Sequence, residues 1–319
     1  FTSGATEADD AALLGIAQAA ADERRRRGAG DFVPHVVVTA VEHDAVLAPA
    51  KRLESQGFRV TRLAPTVGFI EERALEAALD ADTVLVSVQA ANSEVGSIQP
   101  IADLARVAHD HAALFHTDAV QALGKARVNL QELDVDAASF SAHKVGGPKR
   151  GALYLRARTP FHAYAIGGGQ EGGRRSGTQN VAGIVGFAAA VHAATAMQEA
   201  EAARLRVLRD RLYERLGAID AVEATVDVAP GSEDFLPNIV HVLVDGWSET
   251  LILRFDMQGF GVSGGSACSS HSLEPSHVLV LGIDADRAHG ALRISMGRYT
   301  DEADVEAFAV AMEKSLNWN

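Results

Sequence analysis

Six short apolar runs alternate with helical patterns through the first half of the chain. The runs cover residues 36–38, 60–63, 84–88, 113–116, 137–140 and 152–155, and each is typical of a buried strand. Helical patterns lie between several of them, for instance at 70–79 and 101–111. Because strands that alternate with helices run in the same direction, this order predicts an α/β domain with a mostly parallel sheet and helices on both faces.

The second half of the chain has a different order of elements. A long helical pattern over 181–216 follows a glycine-rich stretch at 167–177. The elements after it are a strand at 239–244, a helix at 249–256, a strand at 291–295 and a last helix at 301–316. This order predicts a smaller α+β domain. We therefore expect a large domain over residues 1–195 and a small one over 196–319. The apolar content of the chain, 47%, is sufficient to form their hydrophobic cores.

Composition and charge limit the class of protein. No signal peptide is evident and no apolar run reaches the ~18 residues that span a membrane, so no membrane partner is expected. A single cysteine rules out an intramolecular disulfide and indicates a cytoplasmic protein. A net charge of −13 argues against nucleic-acid binding. The chain opens at Phe1 in what reads as the middle of a fold, so we expect a further N-terminal segment.

Two polar stretches stand where α/β folds bind ligands. Residues 3–7 open the helix predicted at 8–27, and free amides with a hydroxyl there suit a phosphate group. An ordinary helix cap is the alternative. Asp118 follows the strand at 113–116, with Gln121 three residues later, and is either a ligand-binding acid or a cap for the next helix.

Lys144 is the candidate nucleophile. The chain has five lysines against 24 arginines, and the other four lysines stand in polar contexts. Lys144 alone follows an apolar strand, with Ser141 and His143 before it and glycines after it. A lysine with restricted solvation has a lowered pKa and forms imines readily.

Together these stretches predict a pyridoxal phosphate site, and no metal is expected there. The cofactor needs a lysine, an acid beside the pyridine nitrogen, a phosphate cradle and a flat group over its ring. Lys144 and Asp118 supply the first two, and the candidates for the cradle are Thr6, Ser141 and His143. His43, which follows the strand at 36–38, is placed to cover the ring, although a lone histidine is more often structural.

Cys268 stands in a run of small polar residues, 263–272, that is unsuited to a core. Such a run predicts a mobile loop, on which a thiol can attack a substrate and carry a product outward. Pro275 is predicted to open a helix at 277–281. The alternative is a chance surface cysteine.

These residues lie in stretches that closely resemble the cysteine desulfurases of the class V aminotransferase family, in particular those that serve iron–sulfur cluster assembly. The matching stretches are "FTSGATEAD", "EHDAVL", "NSEVGSIQP", "FHTDAVQALGK", "SFSAHKVGGPK", "GGGQEGGRRSGTQN", "GGSACSSHSLEPSHVL" and "LRISMGRYTDEAD". This combination is far more specific than one short motif. The resemblance implies a pyridoxal phosphate-dependent transferase fold like that of aspartate aminotransferase, and a homodimer.

The activity that the resemblance implies is removal of sulfur from L-cysteine, which leaves L-alanine and an enzyme persulfide. The sulfur would pass to an acceptor protein, either a cluster scaffold or a tRNA-thiolation protein. Two alternatives stay open. One is a selenocysteine lyase or another class V enzyme, although a simple aminotransferase has no use for Cys268. The other is a non-catalytic cofactor-binding assembly protein.

The resemblance also implies a role for each site residue. Lys144 would form the Schiff base, Asp118 would pair with the pyridine nitrogen, and His43 would stack on the ring. Gln121 would bond the ring oxygen. The phosphate would be held by Ala5, Thr6, Ser141 and His143, with Thr178 supplied by the partner subunit. The substrate would be held by Asn92, Ser93 and Arg293, whose guanidinium suits a carboxylate. Cys268 would carry the persulfide.

Two positions depart from the family pattern. The family reads Asn-Asn-Glu where this chain has Asn92-Ser93-Glu94, so serine replaces the asparagine associated with cofactor and substrate. His271 stands where a small residue is usual. An imidazole three residues from Cys268 either favours the thiolate or is a solvated bystander.

Overall fold

The computed structural model describes residues 1–28, 32–246, 248–264 and 280–317. They form two compact units. The first contains Phe1–Pro65, Ile70–Ala91 and Gln99–Met197, and the second contains Thr66–Phe69, Asn92–Ile98 and Gln198–Asn319. The sequence division at 195/196 placed residues 66–69 and 92–98 in the first domain, whereas in the structure they group with the second unit.

The first unit is built on a six-stranded sheet. Its strands are β1 (His35–Thr39), β2 (Arg59–Leu63), β3 (Thr83–Ser87), β4 (Leu114–Asp118), β5 (Ala137–Ser141) and β6 (Gly151–Leu155). The order is β2-β1-β3-β4-β5-β6, with β1 to β5 parallel and β6 antiparallel to β5. The α/β fold with a mostly parallel sheet is therefore confirmed. The expected burial is wrong at both edges of the sheet, because the residues of β2 are exposed or half-buried and residues 152–155 of β6 are half-buried.

Two pairs of helices pack on this sheet. They are α1 (Ala5–Arg26) with α2 (Asp44–Ser55), and α3 (Glu72–Ala78) with α4 (Ile101–Asp110). The inner face of α1 is mostly small, with Ala12, Ile16 and Ala17 in one core cluster with Leu85 of β3 and Ala137 of β5. Small side chains let the helix approach the sheet closely.

The parallel strands set where chemistry can occur. Since β1, β3, β4 and β5 are parallel, their carboxyl ends lie along one edge of the sheet. His43 and Lys144 lie in the loops after β1 and β5, and Asp118 is the last residue of β4. Ligands bind at this edge in open α/β sheets.

The second unit has its own sheet and core. Its antiparallel strands are β7 (Val222–Ala224), β8 (Ile239–Val244) and β9 (Ala291–Ser295), in the order β7-β8-β9. The helices are α5 (Val181–Gly217), which begins in the first unit, then α6 (Ser248–Met257), α7 (Ala285–Ala288) and α8 (Glu302–Leu316). Leu208, Leu212, Phe255 and Phe308 are central to its core. The helix predicted at 277–281 falls largely outside the described residues.

Candidate cofactor and substrate site

The N-terminus of α1 forms an open cradle. No side chain in the described part of the chain caps Gly4, the residue before the helix. Thr2 and Gly151 exchange two backbone hydrogen bonds, of 2.9 and 3.1 Å, which fix the approach to the helix. A Cβ at position 151 would lie 2.3 Å from the Gly4 carbonyl carbon, so only glycine fits there. Free amides beside the exposed Thr6 suit a phosphate group.

Glu7, the acid nearest this cradle, is paired. Its carboxylate accepts hydrogen bonds from the Ser3 backbone amide at 2.9 Å and from Arg175 at 2.7 and 3.2 Å. Burial alone would raise the pKa of Glu7, but the bonds from Arg175 and Ser3 lower it below its usual value. Because this negative charge is neutralised locally, Glu7 does not oppose an anion at the cradle.

Asp118 ends β4 and is buried. One carboxyl oxygen accepts a hydrogen bond from the Val120 amide at 2.9 Å. Burial raises the pKa of Asp118, while the Val120 amide, His43 and Lys144 each lower it. Asp118, His43 and Lys144 are therefore close enough to act on one another electrostatically. A cation beside Asp118, such as a protonated pyridine nitrogen, would complete this arrangement.

His43 and Lys144 are held by short local motifs. His43 caps α2, and its Nδ1 accepts a hydrogen bond from the Ala45 amide at 3.0 Å, so the neutral ring carries its proton on Nε2. Lys144 lies in a 3₁₀ turn, His143–Val145, which Gly146 ends with φ of 79°. The turn leaves Lys144 exposed, so the restricted solvation expected from its apolar neighbours in the sequence is not found.

Gln121, Ser141 and His143 lie on the same loops. Lys125 donates to Oε1 of Gln121 at 2.7 Å, which leaves the Nε2 group of Gln121 as the donor for a ring oxygen. The Ser141 hydroxyl and Nδ1 of His143 are 2.7 Å apart. Partial burial, with Lys144 and Lys149 nearby, lowers the pKa of His143 and favours its neutral form.

Behind Asp118 lies a buried polar layer that the sequence did not indicate. His116 of β4 is fully buried, within 2.9 Å of the Ser87 hydroxyl and 3.0 Å of the Ser139 hydroxyl. Burial lowers its pKa to about 3, so the imidazole is neutral. Asp9 of α1 is also buried, and its Oδ1 lies 3.7 Å from Nε2 of His116. Burial and the charge of Asp118 raise the pKa of Asp9.

Glu42 is the third buried acid of this region. Its Oε1 accepts from the Gln89 amide at 2.7 Å and from the Thr39 hydroxyl at 2.9 Å. Burial and the charge of Asp118 raise the pKa of Glu42 to about 8. Burial, together with the charge of Asp118, therefore favours the protonated form of both Asp9 and Glu42. Asp9 in a helix start and Glu42 beside a histidine read as solvated groups in the sequence, which is why both were missed.

The second unit brings the expected substrate residues together. Arg293 of β9 donates from Nη1 to the backbone carbonyl of Ser93 at 3.0 Å. Arg293 and Ser263 also exchange two backbone hydrogen bonds, of 2.7 and 3.1 Å. Oδ1 of Asn92 accepts from the amides of Glu94 and Val95, so the side chain of Asn92 caps its own turn. The contact at position 93 is thus made by the backbone and not by the side chain.

The remaining site residues stand apart. Thr178 is exposed in the loop before α5, where it lines a small cavity with Arg150, Arg175 and Asn180. The role expected for Thr178, a contact with the phosphate bound to the partner subunit, remains a prediction. Cys268 and His271 lie outside the described residues.

Residues 1–308 match the family described as aminotransferase class-V. The chain is similar to the cysteine desulfurase IscS of Dictyoglomus turgidum, with 40% identity over 99% of this chain and 78% of that protein. It is 41% identical to the IscS of Salmonella arizonae, over 99% of this chain and 76% of that one. Among solved structures it resembles a NifS-like protein (TM-score 0.87, 35% identity, 100% of this chain and 82% of that one). It also resembles DndA from Streptomyces lividans (TM-score 0.74, 34% identity, 92% and 81%).

Proposed function

The chain belongs to the cysteine desulfurases of the class V aminotransferase family, and on that premise we propose that it is a pyridoxal phosphate-dependent enzyme that converts L-cysteine to L-alanine. The sulfur atom passes to an enzyme persulfide. The relatives named above are cysteine desulfurases and NifS-like proteins, which favours this reaction over a selenocysteine lyase, a transaminase or a non-catalytic assembly protein.

The position of Asp118 carries the proposal. It is a buried acid at the carboxyl end of a central strand, and its pKa is lowered by a histidine from the loop after β1 and a lysine from the loop after β5. Burial without a cation raises the pKa of Asp118, so a site that binds a cation restores its charge. This is the requirement of a protonated pyridine nitrogen.

The residues present fit pyridoxal phosphate at both ends. The uncapped N-terminus of α1, with Thr6 and Ser141, suits the phosphate, while Asp118 suits the ring nitrogen. When bound, the cofactor supplies an electron sink for negative charge at the substrate Cα. Lys144 would supply the amine for the cofactor aldehyde, and His43 would lie over the ring. Gln121 would donate from Nε2 to the ring oxygen.

Arg293 orients the substrate. A guanidinium binds a carboxylate through two parallel hydrogen bonds, so Arg293 fixes the amino acid by its carboxyl group. The Ser93 carbonyl holds Nη1 of Arg293 and so restricts the rotation of the guanidinium. The substrate sulfur is then presented from a fixed Cα position.

Cys268 takes the sulfur. Its thiolate attacks the substrate sulfur, the substrate S–Cβ bond breaks with its electron pair left on carbon, and a proton completes the methyl group of L-alanine. The sulfur remains on Cys268 as a persulfide, so no external oxidant is needed. This role rests on the sequence around Cys268.

A comparison of wild type with Cys268→Ala tests this function. Wild type given L-cysteine should form alanine, and its Cys268 peptide should gain the mass of one sulfur atom under non-reducing conditions. The variant should keep cofactor absorbance but lose both products. Alanine formation that survives in Cys268→Ala, or sulfur missing from the wild-type peptide, contradicts the desulfurase and leaves an aminotransferase-like enzyme.

A homodimer is the second part of the proposal. Val181, Val185 and Met197 on α5 are 65%, 61% and 45% exposed, and an 18-residue window of high hydropathy in this helix is only 11% buried. By length and hydropathy the helix also qualifies as a membrane span, which the sequence did not indicate because polar residues such as His192 interrupt its apolar run. An exposed apolar face next to the Thr178 loop favours contact with a second copy.

Light scattering of Val185→Glu tests the dimer. The wild type should have twice the mass of one chain, and the buried charge should shift the variant toward monomer. Val207→Glu, equally exposed further along α5, serves as the control and should remain dimeric. A dimeric Val185→Glu rejects this face as the interface, and cosedimentation of wild type with lipid vesicles points to a membrane instead.

The acceptor and the compartment complete the proposal. The name IscS on the relatives and the single cysteine of this chain support a cytoplasmic enzyme that supplies sulfur for iron–sulfur cluster assembly. A tRNA-thiolation protein is the alternative acceptor. Transfer of labelled sulfur from the persulfide to a cluster scaffold, in competition with a tRNA-thiolation protein, separates the two.

A further inference from the structure

Arg209 of α5 is fully buried, and its donors all point to one neighbourhood. Nη1 donates to the carbonyl of Phe235 and Nη2 to the carbonyl of Ser232, both at 3.0 Å. Nε and Nη2 donate to Oδ1 of Asp210, at 3.0 and 2.9 Å. A buried guanidinium is tolerated only when its charge is paired and its donors are used. Here the adjacent Asp210 pairs with the charge of Arg209, and the remaining donors bind backbone carbonyls of the loop at residues 232–235.

Asp210 binds the backbone of the same loop. Its other oxygen, Oδ2, accepts a hydrogen bond from the Gly231 amide at 2.6 Å. Arg209 and Asp210, which we call the arginine clamp, thus bind the backbone of residues 231–236 at both ends. Backbone groups give no sequence specificity, so the function of these bonds is to fix the position of the segment.

Residues 231–236, which the arginine clamp binds, are in turn hydrogen-bonded to residues 92–98. The Leu236 amide donates to the Gly96 carbonyl at 2.7 Å, and the Ile98 amide donates to the Asp234 carbonyl at 2.8 Å. Phe235 and Ser97 form a β-bridge between them. Residues 92–98 are therefore attached to the second unit through residues 231–236.

Residues 92–98 contain the groups that meet Arg293. The turn is closed by a hydrogen bond from the Asn92 amide to the Ser97 carbonyl, at 2.8 Å. Ser93 within it presents its carbonyl to Nη1 of Arg293 at 3.0 Å. A shift of the turn moves this carbonyl, and the guanidinium that it holds moves with it.

We propose that Arg209 is a positioning residue for substrate binding, which acts through residues 231–236 and 92–98 to orient the Arg293 guanidinium. The inference rests on the proposed role of Arg293 as the carboxylate ligand. The clamp touches neither substrate nor cofactor. It should therefore affect the binding of L-cysteine, and much less the chemical step.

The test uses the cofactor-loaded enzyme with Arg209→Lys and Asp210→Asn. Lysine keeps the charge but cannot reach all the same carbonyls, and asparagine cannot accept from the Gly231 amide at the amide nitrogen. Both should raise the KM for L-cysteine about tenfold while kcat changes far less. Hydrogen exchange at the Ile98 and Leu236 amides should accelerate in both variants. The matched control is Arg211→Gln, which lies on α5 like Arg209 and removes an exposed contact with Glu306 of α8.

Arg293→Lys is measured beside them to separate two kinds of failure. If Arg293→Lys raises the KM but neither clamp variant does, the positioning role is overturned and the carboxylate site stands. If Arg293→Lys leaves the KM unchanged, the carboxylate site fails and the positioning role fails with it. Unchanged exchange at Ile98, or a lower melting temperature with an unchanged KM, reduces the clamp to a purely structural contact and also overturns the proposal. Asp210→Asn decides the case if Arg209→Lys does not fold, because Asp210 is partly exposed.

Discussion

The buried carboxyl of Glu42 should make the stability of the cofactor-free protein depend on pH, and Glu42→Gln should remove that dependence. The pKa of Glu42 is about 8 in the folded chain, against 4.5 for an unperturbed glutamate. The folded state therefore binds this proton more tightly than the unfolded state does. Stability from this group is highest below pH 4.5, falls as the pH rises, and levels off above pH 8.

The size of the effect follows from the difference between the two pKa values. At about 1.4 kcal/mol per pKa unit, linkage over the range from about pH 5 to pH 7.5 lowers the free energy of unfolding by about 3 kcal/mol. Glutamine keeps an oxygen to accept from Gln89 and Thr39 but has no charge to lose. The amide nitrogen of the glutamine lacks an acceptor there, which lowers the free energy of unfolding of the variant by the same amount at every pH. The two proteins must therefore be compared by how steeply their free energy of unfolding changes with pH.

Urea unfolding followed by circular dichroism at several pH values measures those slopes. Asp9 and Asp118, whose pKa values burial raises, make stability depend on pH in the same direction, and the neutral His116 in the opposite direction. All three are present in both proteins, so the difference between the two curves reports on Glu42. Glu76→Gln, on the exposed face of α3, is the control and should follow wild type. Parallel curves for wild type and Glu42→Gln would refute the idea that Glu42 is held protonated.

Three further substitutions test the site. Lys144→Ala should abolish turnover, and borohydride reduction of the wild type should label Lys144; a label on another lysine contradicts the assignment. Asp118→Asn should lower turnover by orders of magnitude with the fold unchanged in circular dichroism, because a neutral amide cannot hold the pyridine proton; near-normal rates would reduce Asp118 to an acceptor for the Val120 amide in its turn. Ser93→Asn should leave kcat/KM similar or higher, because Arg293 contacts the backbone carbonyl of residue 93; a large loss would show that the site depends on serine.

The sequence predicted the strands well because their apolar runs are short and separated by clear helical patterns. It misjudged β2, since an edge strand keeps the same β-branched composition with less burial. It named no helix at Asp44–Ser55, where Pro49 interrupts the pattern within α2. It also could not place residues 92–98 with the second unit, because that grouping depends on contacts with residues far along the chain.

The positions of the candidate site residues could be predicted where they depend on neighbours in the sequence. Asp118 at the end of β4 and Lys144 just after β5 lie where the sequence placed them, at the carboxyl ends of parallel strands, while their roles remain predictions. Arg209 and Glu42 were not found, because their meaning comes from distant partners: Phe235 for the arginine and Gln89 for the glutamate. A charged residue among apolar neighbours was the available signal in the case of Arg209, which follows Leu208 within a buried stripe of leucines.

The pair of backbone hydrogen bonds between Ser263 and Arg293 limits how far the Cys268 thiol can lie from Ser263. Ser263 is hydrogen-bonded to β9, the strand that contains Arg293, and Cys268 follows five residues later. A chain of five residues spans at most about 18 Å when fully extended. A sulfur acceptor must therefore bring its own thiol within about that distance of Ser263, plus the length of the cysteine side chain. An acceptor that docks further away cannot be served by this enzyme, however tightly it binds.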